Sequence, residues 1–591
     1  MKQFLKMFVL TSLLAALVLS LCACGAKTGQ TPAQQEETAA AAEDPAQAPE
    51  TPAVDETEAT AIVFSDGGVQ TGADSDAVKV EGTAVTIRAP GTYILSGSCK
   101  NGSVKVKKET RGVVLVLDGL DLTAEGTAAI CCNQGTEVSI LAAEGSDNTL
   151  ADTETNNDET APDNENAENA VLKCKDGSRV LLCGTGTLNI RGSGKNGIKG
   201  GGDSETAGEA SLTISELTLN VSAVNDGIKS DCALSLYSGS ITVSAVDDAI
   251  GSDTAVTVGA SDAAGPTLTV SDCTEGLEAP QVQILSGDVD VHAQDDGLNA
   301  VSETGTAEIT IAGGTVRIDA ENGDGLDSNG TVNITGGDIQ VFSSSRSDNS
   351  PLDYGTDMSI SGGTVLAVGS SGMAQAPNLA AQTYVVFSAG NQIGGPKGGF
   401  GGKTDEDSID FSLQQGDQVQ ILDDSGSVLA EFEARRQTDY VFFTAPSLTD
   451  GQSCSLNVNG QSVGTAAATG ELSAVGGIPD VGGAGNQPQM PGGDFDPDNM
   501  PDGGDFDPSN LPDGGDYDPN NMPNGESFDP NNMPQRPDGN FDPSNLPEDF
   551  DPGNMPQRPD GAQGSGRPGQ NGSDAQTGAT PDAESGSGNN T

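Results

Sequence analysis

An acidic or amide residue, then Gly or Ala, then Ile or Leu recurs through the middle of this chain: Asn196-Gly197-Ile198, Asp226-Gly227-Ile228, Asp248-Ala249-Ile250, Glu275-Gly276-Leu277, Asp296-Gly297-Leu298 and Asp324-Gly325-Leu326. Grouped carboxylates are suited to holding hard cations or to moving protons. Successive copies lie about 21 to 30 residues apart, the period of stacked solenoid repeats. Neighbouring strands in such a stack are about 4.7 to 4.9 Å apart, so the spacing predicts Asp226, Asp247, Asp248, Asp295, Asp296 and Asp324 in near vertical register along one edge. Two carboxylates about 5 Å apart repel by roughly 3 kcal/mol at an effective dielectric of about 20. Repetition makes that a load on the fold that something must neutralise.

Lys199 and Lys229 each follow one of these turns and can neutralise the upper part of the edge; they are also the candidates for touching an anionic ligand. The matching positions further on are Gly251, Glu278, Asn299 and Asp327, which bring no positive charge. Asp327, Asp348 and Asp353 enlarge the acidic set. Calcium accepts many oxygen ligands with loose geometry, so a calcium-loaded edge is the leading reading, against an acidic solvated face with scattered sodium. No EF-hand loop and no nonapeptide calcium roll is present, and with His292 as the single histidine zinc is not expected.

The elements that must position these groups follow one grammar. Leu234-x-Leu236 runs through Ser238-Gly239 to Ile241-x-Val243, and Ile309-x-Ile311 runs through Gly313-Gly314 to Val316-x-Ile318. Alternation of period two marks short strands with one buried face, and the Gly pairs supply the positive φ of a tight corner. One coil cannot bury its own apolar face, so the coils must stack as a parallel β-helix. A sandwich of hairpins explains any single repeat but not the fixed order of all of them. The helix is expected over 61–380, with an insertion at about 144–169 read as a surface loop or disordered excursion. Residues 381–470 change grammar and read as a β-rich cap, because an uncovered last coil would expose strand edges.

Both ends carry other signals. Residues 1–23 read as a signal peptide ending in Leu21-Cys22-Ala23-Cys24, a lipobox-like sequence in which Cys24 would be lipidated, anchoring the protein to a bacterial membrane without spanning it. Residues 24–60 read as a disordered tether and 471–591 as a disordered acidic tail with repeated Phe-Asp-Pro, most simply a solvated spacer. The chain has 87 Asp plus Glu against 26 Lys plus Arg, a net charge of -61, which repels nucleic acid and anionic lipid. Ten Cys without a regular framework suggest small buried hydrophobes. A monomer displayed outside the cell is expected.

The lipoprotein start, Tyr93-Ile94-Leu95-Ser96-Gly97, Val116-Leu117-Asp118-Gly119, the Asp-Gly-Ile/Leu series and Ser359-Ile360-Ser361-Gly362-Gly363-Thr364 together resemble the calcium-binding right-handed β-helix proteins of clostridia, known as carbohydrate-binding domain proteins and related in fold to pectate lyases. The resemblance covers about Ile62 to Gly460. It implies an all-β, right-handed parallel β-helix that binds cellulose or an acidic polysaccharide such as polygalacturonate, with calcium as a structural and bridging ion. Three functions compete: a polysaccharide-binding module, a calcium-dependent lyase, and a passive envelope adhesin or spacer. A lyase needs a base of lowered pKa, and Lys199, Lys229, Arg317 and Arg346 read as ordinary charge partners, so no catalytic residue is assigned. Without Trp the chain has little surface for stacking flat neutral glucans, which favours a uronate polymer.

Overall fold

Alternating apolar residues dictate the architecture. Leu234–Leu236, Ser240–Ala245 and Ile250–Ser252 form three short strands, and Ala255–Val258, Thr267–Cys273 and Leu277–Glu278 form the next three. Each strand pairs in parallel with the third strand after it, apolar residue on apolar residue: Leu234 on Val256, Ile241 on Leu268, Ile250 on Leu277. The rule generates three stacked faces. The first two belong to a 24-stranded sheet and the third is a 12-stranded sheet of its own. The computed structural model describes residues 49–472 apart from 56, 73–75, 203–207, 303–304, 380, 390–408 and 471, and among them there is no helix. The protein is all-β with long, mostly parallel sheets, a pairing pattern consistent with a solenoid. The expected signal peptide, Cys24, most of the tether and nearly all of the tail lie outside the described residues.

The Ile or Leu of each turn in the series lies in a strand of the third face. Ile130, Leu172, Ile198, Ile228, Ile250, Leu277, Leu298, Leu326 and Leu352 are all fully buried and stack in register. Each such side chain contributes about 1.5 to 3 kcal/mol by leaving water. The two kinds of glycine serve different ends. Gly239, at the corner between the first and second faces, has φ of 101°, and Gly314 has 86°. The glycine after the acidic residue has no unusual φ; it permits close approach. A Cβ on Gly297 would sit 2.2 Å from Ile318 Cγ2 and 2.7 Å from the Gly325 carbonyl of the next coil.

The ends of the stack are closed by antiparallel pairing, which removes exposed strand edges. Thr60–Ser65 pairs with Gly68–Thr71 at one end. At the other, Tyr440–Thr444 pairs antiparallel with both Thr364–Gly369 and Tyr384–Ser388. A further four-stranded sheet follows with its own core of Val419, Phe432, Phe443 and Leu456. Arg436 reaches from this region to Asp319 on the second face and donates to the Ser343 carbonyl at 2.9 Å. The eight described cysteines are buried and unbridged, as expected of small hydrophobes.

The insertion expected at about 144–169 as a surface loop or disordered excursion begins with a strand, and from 153 to 169 it is a largely exposed loop without strands. Asp147–Asp152 is a strand of the second face, and the remainder is held by amide side chains where apolar ones are lacking. Asn156 is fully buried: its amide nitrogen donates to Asp152 Oδ2 at 2.7 Å and to the Ala170 carbonyl at 2.9 Å, while its oxygen accepts from the Glu168 amide at 2.7 Å. Asn164 donates to the carbonyls of Gly126 and Thr155 at 2.6 and 2.7 Å. Asn156→Ala leaves buried backbone groups unpaired and should cost about 2 to 4 kcal/mol, read as an earlier urea midpoint; an unchanged midpoint would refute this account of the segment.

Candidate functional site

The in-register pairing of the third face sets its outward residues in one row: Lys105, Cys131, Lys173, Lys199, Lys229, Gly251, Glu278, Asn299, Asp327 and Asp353. The row is basic at one end and acidic at the other. Beside it runs the row of turn residues, Asn196, Asp226, Asp248, Glu275, Asp296 and Asp324. Their backbones are laddered coil to coil: Gly227 donates to the Asp248 carbonyl, Gly276 to Asp296 and Gly297 to Asp324, each at 3.0 Å. Side chains join the same ladder. Asp296 Oδ1 accepts the Asp324 amide at 2.7 Å, and Asp324 Oδ1 accepts the Ser350 amide. One oxygen of each of these carboxylates is therefore structural.

Three carboxylates from the two rows converge. Oxygens of Asp248, Glu275 and Glu278 all lie within 4.8 Å of one another. Asn299 Nδ2 donates to Glu275 Oε2 at 2.8 Å, and Lys229 Nζ reaches Glu278 Oε1 at 3.7 Å. Lys229 gets there by lying across Gly251, where a Cβ would meet its Cδ at 2.9 Å and its Nζ at 3.0 Å. Burial alone would lower the Lys229 pKa, yet Glu278, Asp248, Asp226 and Asp253 together raise it. Asp248 is pushed up to about 7, by burial first and then by Glu278, Asp226 and Asp247. Burial raises Glu275 as well, reinforced by Glu278 beside it.

A second acidic group lies further along the same two rows. Burial raises Asp296 to about 6, Asp324 to about 8 and Asp327 to about 7, with mutual repulsion adding to each. Asp353 is raised by burial too. Among the described residues no lysine or arginine forms an ion pair with any of these four carboxylates. Of the two groups, Asp248, Glu275 and Glu278 are the carboxylates close enough together to hold a metal ion, and their all-oxygen donor set suits a hard cation.

The residues singled out from the sequence separate into groups. Asp226 and Asp248 stand together near the converging carboxylates, and Asp296, Asp324 and Asp327 in the second group. Asp247 and Asp295 are exposed at the rim. Asp348 joins neither group: Arg346, two residues before it, grips both its oxygens at 3.0 and 2.6 Å and holds its carboxyl below the usual range. Lys199 is paired with Asp231. Glu275 and Glu278 were missing from the sequence-based ligand set, although Glu278 stands at the same offset from its turn as Lys229 and Asp327.

Comparison with known proteins bears on this site. The profile of the family described as carbohydrate-binding domain-containing protein matches residues 81–349 and 264–376. A carbohydrate-binding domain-containing protein of Acetivibrio thermocellus is 33% identical over 135 residues, which are 22% of this chain and 46% of that protein. The chain thus spans less than half the length of that relative. A solved structure described as a polysaccharide lyase-like protein from C. thermocellum, gadolinium derivative, aligns over 55% of this chain and 96% of that one at 23% identity and a TM-score of 0.29.

The raised carboxyls predict an unusual pH response. Their folded values exceed the unfolded ones, so between about pH 4 and pH 8 the folded chain holds protons that the unfolded chain has released, and stability must fall as pH rises. In chelator the melting temperature should be several degrees lower at about pH 8.5 than at about pH 5.5. An equal or higher value at the alkaline pH would show that these groups are not crowded in the folded protein.

Proposed function

Because the chain belongs to the family of carbohydrate-binding domain-containing proteins, we propose that it is a polysaccharide-binding lipoprotein of the bacterial cell surface, a right-handed parallel β-helix that meets an acidic glycan through calcium held in the groove of its third face. The observation that carries the reading is the convergence of Asp248, Glu275 and Glu278, at the place in the row where lysines give way to acids. These three would hold one ion, and Asp296, Asp324, Asp327 and Asp353 are the donors for more. Bound calcium supplies positive charge that lets an acidic protein and an acidic polymer share one surface. Lipidation at Cys24 and the tether would place the module outside the cell, where it acts as a monomer.

Binding rather than cleavage is favoured by where the bases stand. Lys199 is paired with Asp231, Lys229 with Glu278, Arg317 with Asp288 and Arg346 with Asp348. Lys173 is the one described lysine whose pKa is lowered, by burial and then by Lys199. It stands four strand spacings from Glu278 along the row, about 19 Å, too far to take a proton from a sugar held at the converging carboxylates. A chain without Trp also has little surface for flat neutral glucans.

Calcium bound only by the folded chain must raise its melting temperature, by mass action. Chelator should lower it, and Asp248→Asn with Glu278→Gln should blunt the response. Polygalacturonate should retain the protein in calcium and hold it far more weakly in chelator, with cellulose retaining less. Chelator-insensitive melting, or cellulose retention that is equal and indifferent to calcium, would defeat the proposal.

A further inference from the structure

The basic end of the row has one residue out of keeping with the rest. Its lysines are Lys105, Lys173, Lys199 and Lys229, stacked on the third face with Cys131 between the first two. Three are engaged. Lys105 lies 4.0 Å from Glu168, whose other oxygen holds Lys175 at 2.8 Å; Lys199 is paired with Asp231 and Lys229 with Glu278. Lys173 has no ion pair and no side-chain hydrogen bond among the described residues, although it is half-buried. Its neighbours along the row are Cys131, which is fully buried, and the cationic Lys199.

A half-buried ammonium with a second cation one rung away is costly unless an anion joins it. The strain is visible as a pKa lowered by burial and then by Lys199, with Asp231 and Glu168 acting only from a distance. Glu168, the nearest candidate from the insertion, is committed to Lys175. A carboxylate between Lys173 and Lys199 would meet two donors. Because the rungs repeat at about 4.8 Å, roughly the length of a sugar ring, a polymer with a carboxylate on each sugar could run along the row from this point toward the acidic groove.

We propose that Lys173, seconded by Lys199, is a metal-independent anchor for a carboxylate of an acidic polysaccharide, at the opposite end of the row from the calcium groove. The inference rests on the acidic-glycan reading above and adds a second contact that calcium does not mediate.

The test uses the intact chain and polygalacturonate as the probe, with affinity measured in calcium and in chelator. Lys173→Gln should weaken binding about tenfold in calcium, the scale of one charge-assisted hydrogen bond, and abolish the weak residual binding in chelator, with the melting temperature kept. Lys173→Arg should restore both. Should the Gln variant melt early, Lys173→Met, which keeps the aliphatic stem, reads the same loss. If the unmutated chain binds in calcium and the Gln and Met variants match it, this inference alone is overturned. If the unmutated chain does not bind polygalacturonate at all, the acidic-glycan reading falls and takes the anchor with it.

Discussion

In-register parallel stacking is the constraint on which everything else in this molecule depends. A residue at a given place in one coil lies about 4.8 Å from its counterpart in the next, so whatever is chosen once is multiplied. On the inside this is favourable: a column of Ile and Leu such as Ile198, Ile228, Ile250 and Leu277 is stacked wholly out of water. On the outside the same rule turns any repeated charge into a column of like charges. The fold gains its core cheaply and inherits an electrostatic problem at its surface.

The third face answers that problem differently at its two ends. Toward the start, lysines alternate with carboxylates contributed from neighbouring loops, as in Lys199 with Asp231 and Lys175 with Glu168. In the middle, the absent side chain of Gly251 lets Lys229 reach an acid two coils away. Beyond Glu278 the supply of lysine ends and the carboxyls are raised far above their ordinary values. Fixed partners hold one oxygen of some of them, as the Ser350 amide holds Asp324. The rest of the charge is left for protons or for metal, and that division is what makes one face at once a structural ladder and a candidate binding surface.

Much of this was legible because the constraint writes itself into the sequence. Inward positions must be apolar at period two, and corners such as Gly239 must be glycine, so strand order and the acidic series could be read directly. What stayed hidden depends on lengths of loop and on contacts between coils. Asp348 has the right residue type, yet the local bend hands it to Arg346. Glu275 and Glu278 converge on Asp248 only because Leu277 stacks on Ile250 in exact register despite the unequal lengths of the two coils. The insertion was legible only in part: 153–169 is a surface loop as expected, but its ordering contacts could not be read. Its composition resembles disorder, but Asn156 and Asn157 are buried and satisfy backbone groups in place of an apolar core. Composition reports what can be buried by hydrophobicity and says little about order built from amides.

The central claim is that one face carries its own counter-ions at one end and crowded carboxylates without cationic partners at the other, divided at Gly251. Anomalous diffraction from crystals grown with calcium tests it most directly, since it locates the ion without reference to stability or to any glycan. The account predicts an ion bound by Asp248, Glu275 and Glu278, further ions only among Asp296, Asp324, Asp327 and Asp353, and none along the row from Lys105 to Lys199. Ions confined to exposed carboxylates such as Asp348, or none in the groove at saturating calcium, would contradict it.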